Sequence, residues 1–118
     1  MTASPPPLSE ALFVYVTTPT PELAKVIAKA IVAQQLAACA NIIPSMTSIY
    51  RWKGAVEEAL ETVLIFKTQA ALFDKLAKAV KALHPYECAC IIGLPLVAGT
   101  SDYLSWIRAE TDVDRVMD

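Results

Sequence analysis

Few residues in this chain of 118 can do chemistry, and they fall into four groups. His84 is the single histidine and stands directly before Pro85. It can act as a base or a metal ligand, or simply sit at a helix end where the dipole favours it. Cys88 and Cys90 lie two apart in a stretch that reads as extended, so both thiols face one side. With His84 they can contribute to a soft-metal site, although Cys-x-Cys lacks the second pair of a zinc motif. The plainer reading is two small buried strand residues, and Cys39, at the end of a helical stretch, reads the same way. Glu57, Glu58 and Glu61 can hold a hard cation or a cationic ligand, or form a solvated hairpin balanced by Arg51, Lys53 and Lys67. Tyr50, Trp52, Tyr86, Tyr103 and Trp106 sit at element ends, where aromatics suit a subunit interface or a ligand cleft as readily as a core. Catalytic equipment is otherwise scarce. There is no Gly-rich phosphate loop, Ser-His-Asp set or nucleophile elbow, and only three glycines.

The elements that must position these residues can be read from periodicity. Leu12–Val16 is a continuous apolar run with β-branched and aromatic content, the pattern of a buried central strand. Thr20 offers an N-cap and Pro21 a first helical residue. Leu23, Val26, Ile27, Ala30 and Ile31 then keep helical spacing, and the helix is expected to reach about Ala38. Residues 41 to 67 turn extended. Pro44 suggests an edge or a bulge, and Lys53-Gly54 a turn between two long strands. Leu60, Thr62, Leu64 and Phe66 share one face of the second strand; Glu61, Val63, Ile65 and Lys67 share the other. The far end of this hairpin is polar and aromatic, so it is expected to project from the domain. A second helix is expected from about Thr68, with Leu72, Phe73, Leu76, Val80 and Leu83 as its apolar stripe, ending at His84-Pro85. Tyr86–Val97 reads as extended, and Ser101 to about Glu110 as a short last helix. The order β–α–β–β–α–β with a C-terminal helix predicts an α+β, ferredoxin-like sandwich: a four-stranded antiparallel sheet with two helices on one face. The open sheet face then needs cover, which a partner subunit would give.

Composition narrows the function. The apolar share is 55% against 19% charged, an excess that suggests surface covered by another subunit. Net charge is −2 with no basic run, which argues against a nucleic-acid surface. No apolar stretch approaches a membrane span, and Met1–Glu10 lacks a signal-peptide pattern. Three cysteines fit a reducing compartment, so the cytoplasm is expected.

Several longer motifs carry a resemblance. Leu36-Ala37-Ala38-Cys39-Ala40-Asn41-Ile42, the run from Ser45 to Gly54, Glu58, Glu61, Leu64-Ile65-Phe66-Lys67-Thr68, His84-Pro85-Tyr86-Glu87 and Tyr103-Leu104-Ser105-Trp106-Ile107 resemble the CutA divalent-cation tolerance proteins. The similarity runs in unbroken order from about Leu12 to Thr111. It implies a homotrimer, similar in architecture to the signalling PII proteins, whose hairpins extend across neighbouring subunits. It also implies a role in divalent-metal tolerance, with copper binding proposed for the family.

Matching positions for the polar clefts between subunits are Trp52, Glu61, Lys67, Tyr86, Glu87 and Trp106, together with Cys39 and His84. The chain departs from the family's proposed copper ligands, with Val16 and Leu83 where a cysteine and a second histidine stand. It also has Cys88-Ala89-Cys90 where the family reads one residue followed by Pro-Glu. The candidate ligands for copper or another divalent cation are therefore His84, Cys39, Cys88 and Cys90. The expected organisation is a tail over residues 1–10, one domain over 11–112 and a tail over 113–118. The expected role is metal response by a trimer rather than catalysis. The alternative is a signalling or scaffold trimer that takes a small molecule or protein in its cleft.

Overall fold

Side-chain alternation divides the first apolar run between two faces. In β1 (Ala11–Thr18), Val14 and Val16 are fully buried, while Tyr15 between them is only partly covered. The structure is a computed structural model that describes residues 10–113. β1 pairs antiparallel with β3 (Ala55–Gln69) on one side and β4 (Ile91–Pro95) on the other. β2 (Cys39–Trp52) pairs with the outer side of β3, giving the sheet order β2-β3-β1-β4. All three pairings are antiparallel, as the expected ferredoxin-like sandwich requires.

α1 (Pro21–Ala33) begins as its residues dictate, with the Thr20 hydroxyl accepting from the Leu23 N–H at 3.1 Å. It ends before Ala38, because Gln35 takes a left-handed conformation at φ 60°. There the Gln35 N–H donates to the Val32 carbonyl and the Leu36 N–H to the Ile31 carbonyl, the paired bonds of a Schellman ending. The buried stripe is Ala24, Ile27, Ala28 and Ile31, so Val26, expected inward, is 57% exposed instead. Alanine on the inner face lets the helix lie close to the sheet.

Thr68 does not cap the second helix. It stays in β3, buried, and its hydroxyl donates to the Leu36 carbonyl at 2.6 Å. A 3₁₀ turn (Ala70–Leu72) leads into α2 (Phe73–Leu83), whose Leu76 and Val80 are buried as expected. His84 leaves the helix in extended conformation, as a residue before proline must. Both helices pack on the sheet face that presents Val14, Val16, Leu64 and Phe66, and this is the core.

β1 covers β3 only from Thr62 to Gln69, so residues 55–61 and their partners on β2 run on as a two-stranded arm. Seven residues at strand rise make it about 23 Å long. Its tip is the expected turn: Lys53 and Gly54 both have positive φ, 50° and 84°, the two-residue geometry that matches strand twist. Pro44 lies on the edge strand next to a bulge between Ile43 and Met46, with Ser45 at φ 66°.

α3 (Ser101–Ala109) lies across the face opposite the helices. Thr111 ties it down, donating to the Ile107 carbonyl at 2.8 Å and accepting from Gln69 Nε2 at 2.6 Å. Apart from Glu10 and Val113, the two expected tails lie outside the described residues.

Candidate functional site

The site forms where the arm leaves the sheet. Strand register puts Met46 opposite Glu61, so Met46, Ser48, Tyr50 and Trp52 of β2 share a face with Glu61 of β3. Thr17 pairs with Val63 and Tyr15 with Ile65, which brings those two β1 residues onto the same face. Tyr86–Cys90, expected in a strand, is instead a turn and loop that folds over this face; the strand begins only at Ile91. Together they enclose a cleft of about 680 Å³ whose walls include Tyr15, Tyr50, Trp52, Tyr86 and Glu61.

His84 holds the loop in place. Its Nε2 lies 2.7 Å from the Thr17 carbonyl, and its Nδ1 accepts from the Tyr86 N–H at 3.2 Å. These partners require Nε2 to carry the proton and leave neither ring nitrogen free. The imidazole and the Tyr86 ring are in tilted contact, with centroids 4.7 Å apart. Tyr86 in turn donates its hydroxyl to Glu61 Oε2 at 2.9 Å. Burial, then the hydrogen bond and charge of Glu61, push the Tyr86 phenol up to about 12, so it stays a donor throughout the neutral range.

Glu61 is 8% exposed and has no cationic partner among the described residues. Among the described residues only the Tyr86 hydroxyl bonds to this carboxylate, and Glu61 forms part of the cleft wall. Burial, then the Glu61 charge, also push the Cys90 thiol up, against a lowering hydrogen bond with Thr17.

The six residues expected in the cleft separate into two groups. Trp52, Glu61, Tyr86 and Glu87 line it. Lys67 and Trp106 lie with α3 on the same sheet face, the Lys67 ammonium 5.5 Å from the Tyr103 ring centroid and Trp106 in tilted contact with Tyr103.

The expected metal ligands separate as well. Cys88 and Cys90 both line the cleft, with the Met46 thioether. Cys39 pairs with Lys67 at the opposite end of the sheet, six residues and about 20 Å along β3 from Glu61. Among the described residues no three His, Cys, Asp or Glu side chains gather closely enough to hold a metal ion.

Tyr15, Thr17, Met46 and Ser48 went unnoticed in the sequence. Period-two alternation through Leu12–Thr17 would have put Tyr15 and Thr17 on the face opposite Val14 and Val16.

Comparison with known proteins places this geometry. The family model described as "CutA1 divalent ion tolerance protein" matches residues 12–110. The Divalent-cation tolerance protein CutA of Thermus thermophilus is 50% identical over 98 residues, 83% of this chain and 95% of that one. Protein CutA of Homo sapiens is 47% identical over 98 residues. The chain spans only 55% of the human protein and 66% of its mouse counterpart. Among solved structures, the Thermus thermophilus protein superposes with TM-score 0.84 at 48% identity, covering 86% of this chain and 99% of that one. CutA1 from Oryza sativa superposes with TM-score 0.85 at 40% identity, covering 89% and 96%. The match runs through β1, the arm, the His84–Glu87 turn and α3 alike, and the chain belongs to the CutA1 divalent ion tolerance family.

Proposed function

We propose that the chain works as a homotrimeric metal-response module that takes copper, in its soft monovalent state, at the cleft rather than catalysing a reaction. One observation carries this reading: three sulfur side chains, Cys88, Cys90 and Met46, line the same cleft. Thiolate and thioether ligands select Cu(I), which tolerates low coordination numbers and so needs no cluster of three carboxylate or imidazole donors. His84 has both nitrogens engaged and serves instead to hold the loop that bears the thiols. Cys39 is too distant to join them within one chain. Relatives named for divalent-cation tolerance support the physiological setting. The odd number of cysteines, three, supports a reducing compartment, the cytoplasm.

Trimer formation is supported by apolar side chains left in water, among them Ile49, Val56, Leu60 and Ile92, on the arm and the outer strand. A second reading, a small ligand held in the cleft, is favoured by the cleft's volume and by the Glu61 carboxylate in its wall.

Titration of the reduced protein with Cu(I), Cu(II) and Zn(II), with its mass measured in solution, tests the first reading. Cu(I) is expected to bind at one equivalent per chain, and replacing Cys88 and Cys90 by serine to abolish binding. No binding above nonspecific levels would overturn the metal role. The expected mass is three times the 12.8 kDa of the chain. A monomer would overturn the assembly.

A further inference from the structure

Cys88 and Cys90 belong to one loop of one chain, so their approach to each other does not depend on what a neighbouring subunit covers. Only Ala89 separates them, which keeps their Cα atoms within about 7 Å of each other. A disulfide spans Cα separations of about 4.4–6.8 Å. A strand would fix the pair near the far limit of that range. The loop removes this constraint: the chain turns at Glu87 and Cys88, and no ladder pairing begins before Ile91. Here the backbone is free to shorten. Both side chains also face the same cleft, and the charge of Cys88 reaches the Cys90 thiol.

The ends of this loop are anchored. Upstream, His84 is bonded to the Thr17 carbonyl and the Tyr86 hydroxyl to Glu61; downstream, Ile91 pairs with Val16. A ring closed over a single residue between fixed ends is strained, and strained disulfides are the readily reduced ones rather than permanent staples. We infer that Cys88 and Cys90 form a reversible redox pair, a dithiol that a low-mass disulfide oxidises to a disulfide within the loop. The exposed Cys88 reacts first and the partly covered Cys90 resolves. The Cys88 thiolate attacks one sulfur of the oxidant, whose S–S bond breaks and releases one thiolate. The Cys90 thiolate then attacks the Cys88 sulfur, forms the new S–S bond and expels the second thiolate. Two protons pass from the protein thiols to the two leaving groups, and the two electrons go with them. Oxidation would take both thiolates from the cleft and so close the copper site. That consequence rests on the copper reading; the disulfide does not.

The test incubates the assembled protein, in a Cys39→Ser background, with glutathione disulfide and follows intact mass. The chain is expected to lose about 2 Da, to carry no glutathione and to form no intermolecular link, and dithiothreitol to restore it. Cys90→Ser is expected to stop at the mixed disulfide, with one glutathione retained on Cys88. Glutathione that stays on the two-thiol protein would overturn the proposal. So would a pair that remains reduced in the assembled protein while the same chain oxidises in urea. The oxidised protein is expected to lose the Cu(I) binding of the reduced one. Equal Cu(I) binding by both forms would overturn the closing of the site. A reduced protein that binds no Cu(I) but still loses about 2 Da would overturn the copper reading and leave the redox pair standing.

Discussion

Tyr86 and Cys90 record the same neighbour in their titration. Burial is the first cause of each raised pKa, and the Glu61 carboxylate is the second source of both. For Tyr86 the folded value lies above the ordinary value of about 10, so folding favours the neutral phenol. Its contribution to stability is present below pH 10 and is lost as pH rises toward about 12. Absorbance titration of the phenols should find one tyrosine ionising near that value, and Glu61→Gln should lower it toward the rest. Alkylation should separate the two cleft cysteines: at pH 8 the exposed Cys88 reacts first, and Glu61→Gln accelerates Cys90. An unchanged Cys90 rate in that variant would show that burial alone holds the thiol protonated. Residue types announced this chemistry at Glu61, Tyr86 and the two thiols. They did not announce that His84 spends both nitrogens on backbone groups, because its partner Thr17 lies 67 residues away.

At the scale of elements, strand and turn signals were legible wherever they were local. Lys53-Gly54 makes the turn it spells, Thr20-Pro21 starts the helix it spells, and Pro44 marks the bulged edge. The early end of α1 at Gln35 is local, but two other misread boundaries are set by distant partners. Thr68 looks like an N-cap, yet β1 holds it in the sheet and its hydroxyl donates to the Leu36 carbonyl. Thr68→Val keeps the β-branched shape and strands that buried carbonyl. It should cost about 1–3 kcal/mol in denaturant unfolding. A cost near zero would mean that water reaches Leu36. Cys88 and Cys90 were read as strand residues for a related reason. The thiol-bearing segment is apolar and glycine-free, but β1 offers β4 pairing only from Val16, opposite Ile91, to Leu12.

Among the described residues the two-stranded arm runs about 23 Å beyond the rest of the sheet. Leu60 shows what this shape asks of a partner. It belongs to the face that Leu64 and Phe66 bury in the core, yet it lies on the arm beyond the helices and is 68% exposed. In the proposed trimer a neighbour covers it. Leu60→Asp should then shift the protein toward monomer in sedimentation while leaving the monomer's circular dichroism unchanged. A variant that stays trimeric would place the interface elsewhere on the sheet.

By itself the sequence determined the element types, the two faces of the hairpin, the family motifs and the surplus of apolar side chains, because each of these is written in spacings of a few residues. Tertiary structure alone decided which chemistry meets. Antiparallel register carried Met46 to Glu61, the His84–Thr17 bond folded the thiol loop over β1, and Cys39 was left at the far end of the sheet. Such meetings depend on pairing between residues tens of positions apart, and no local pattern encodes the distance between them.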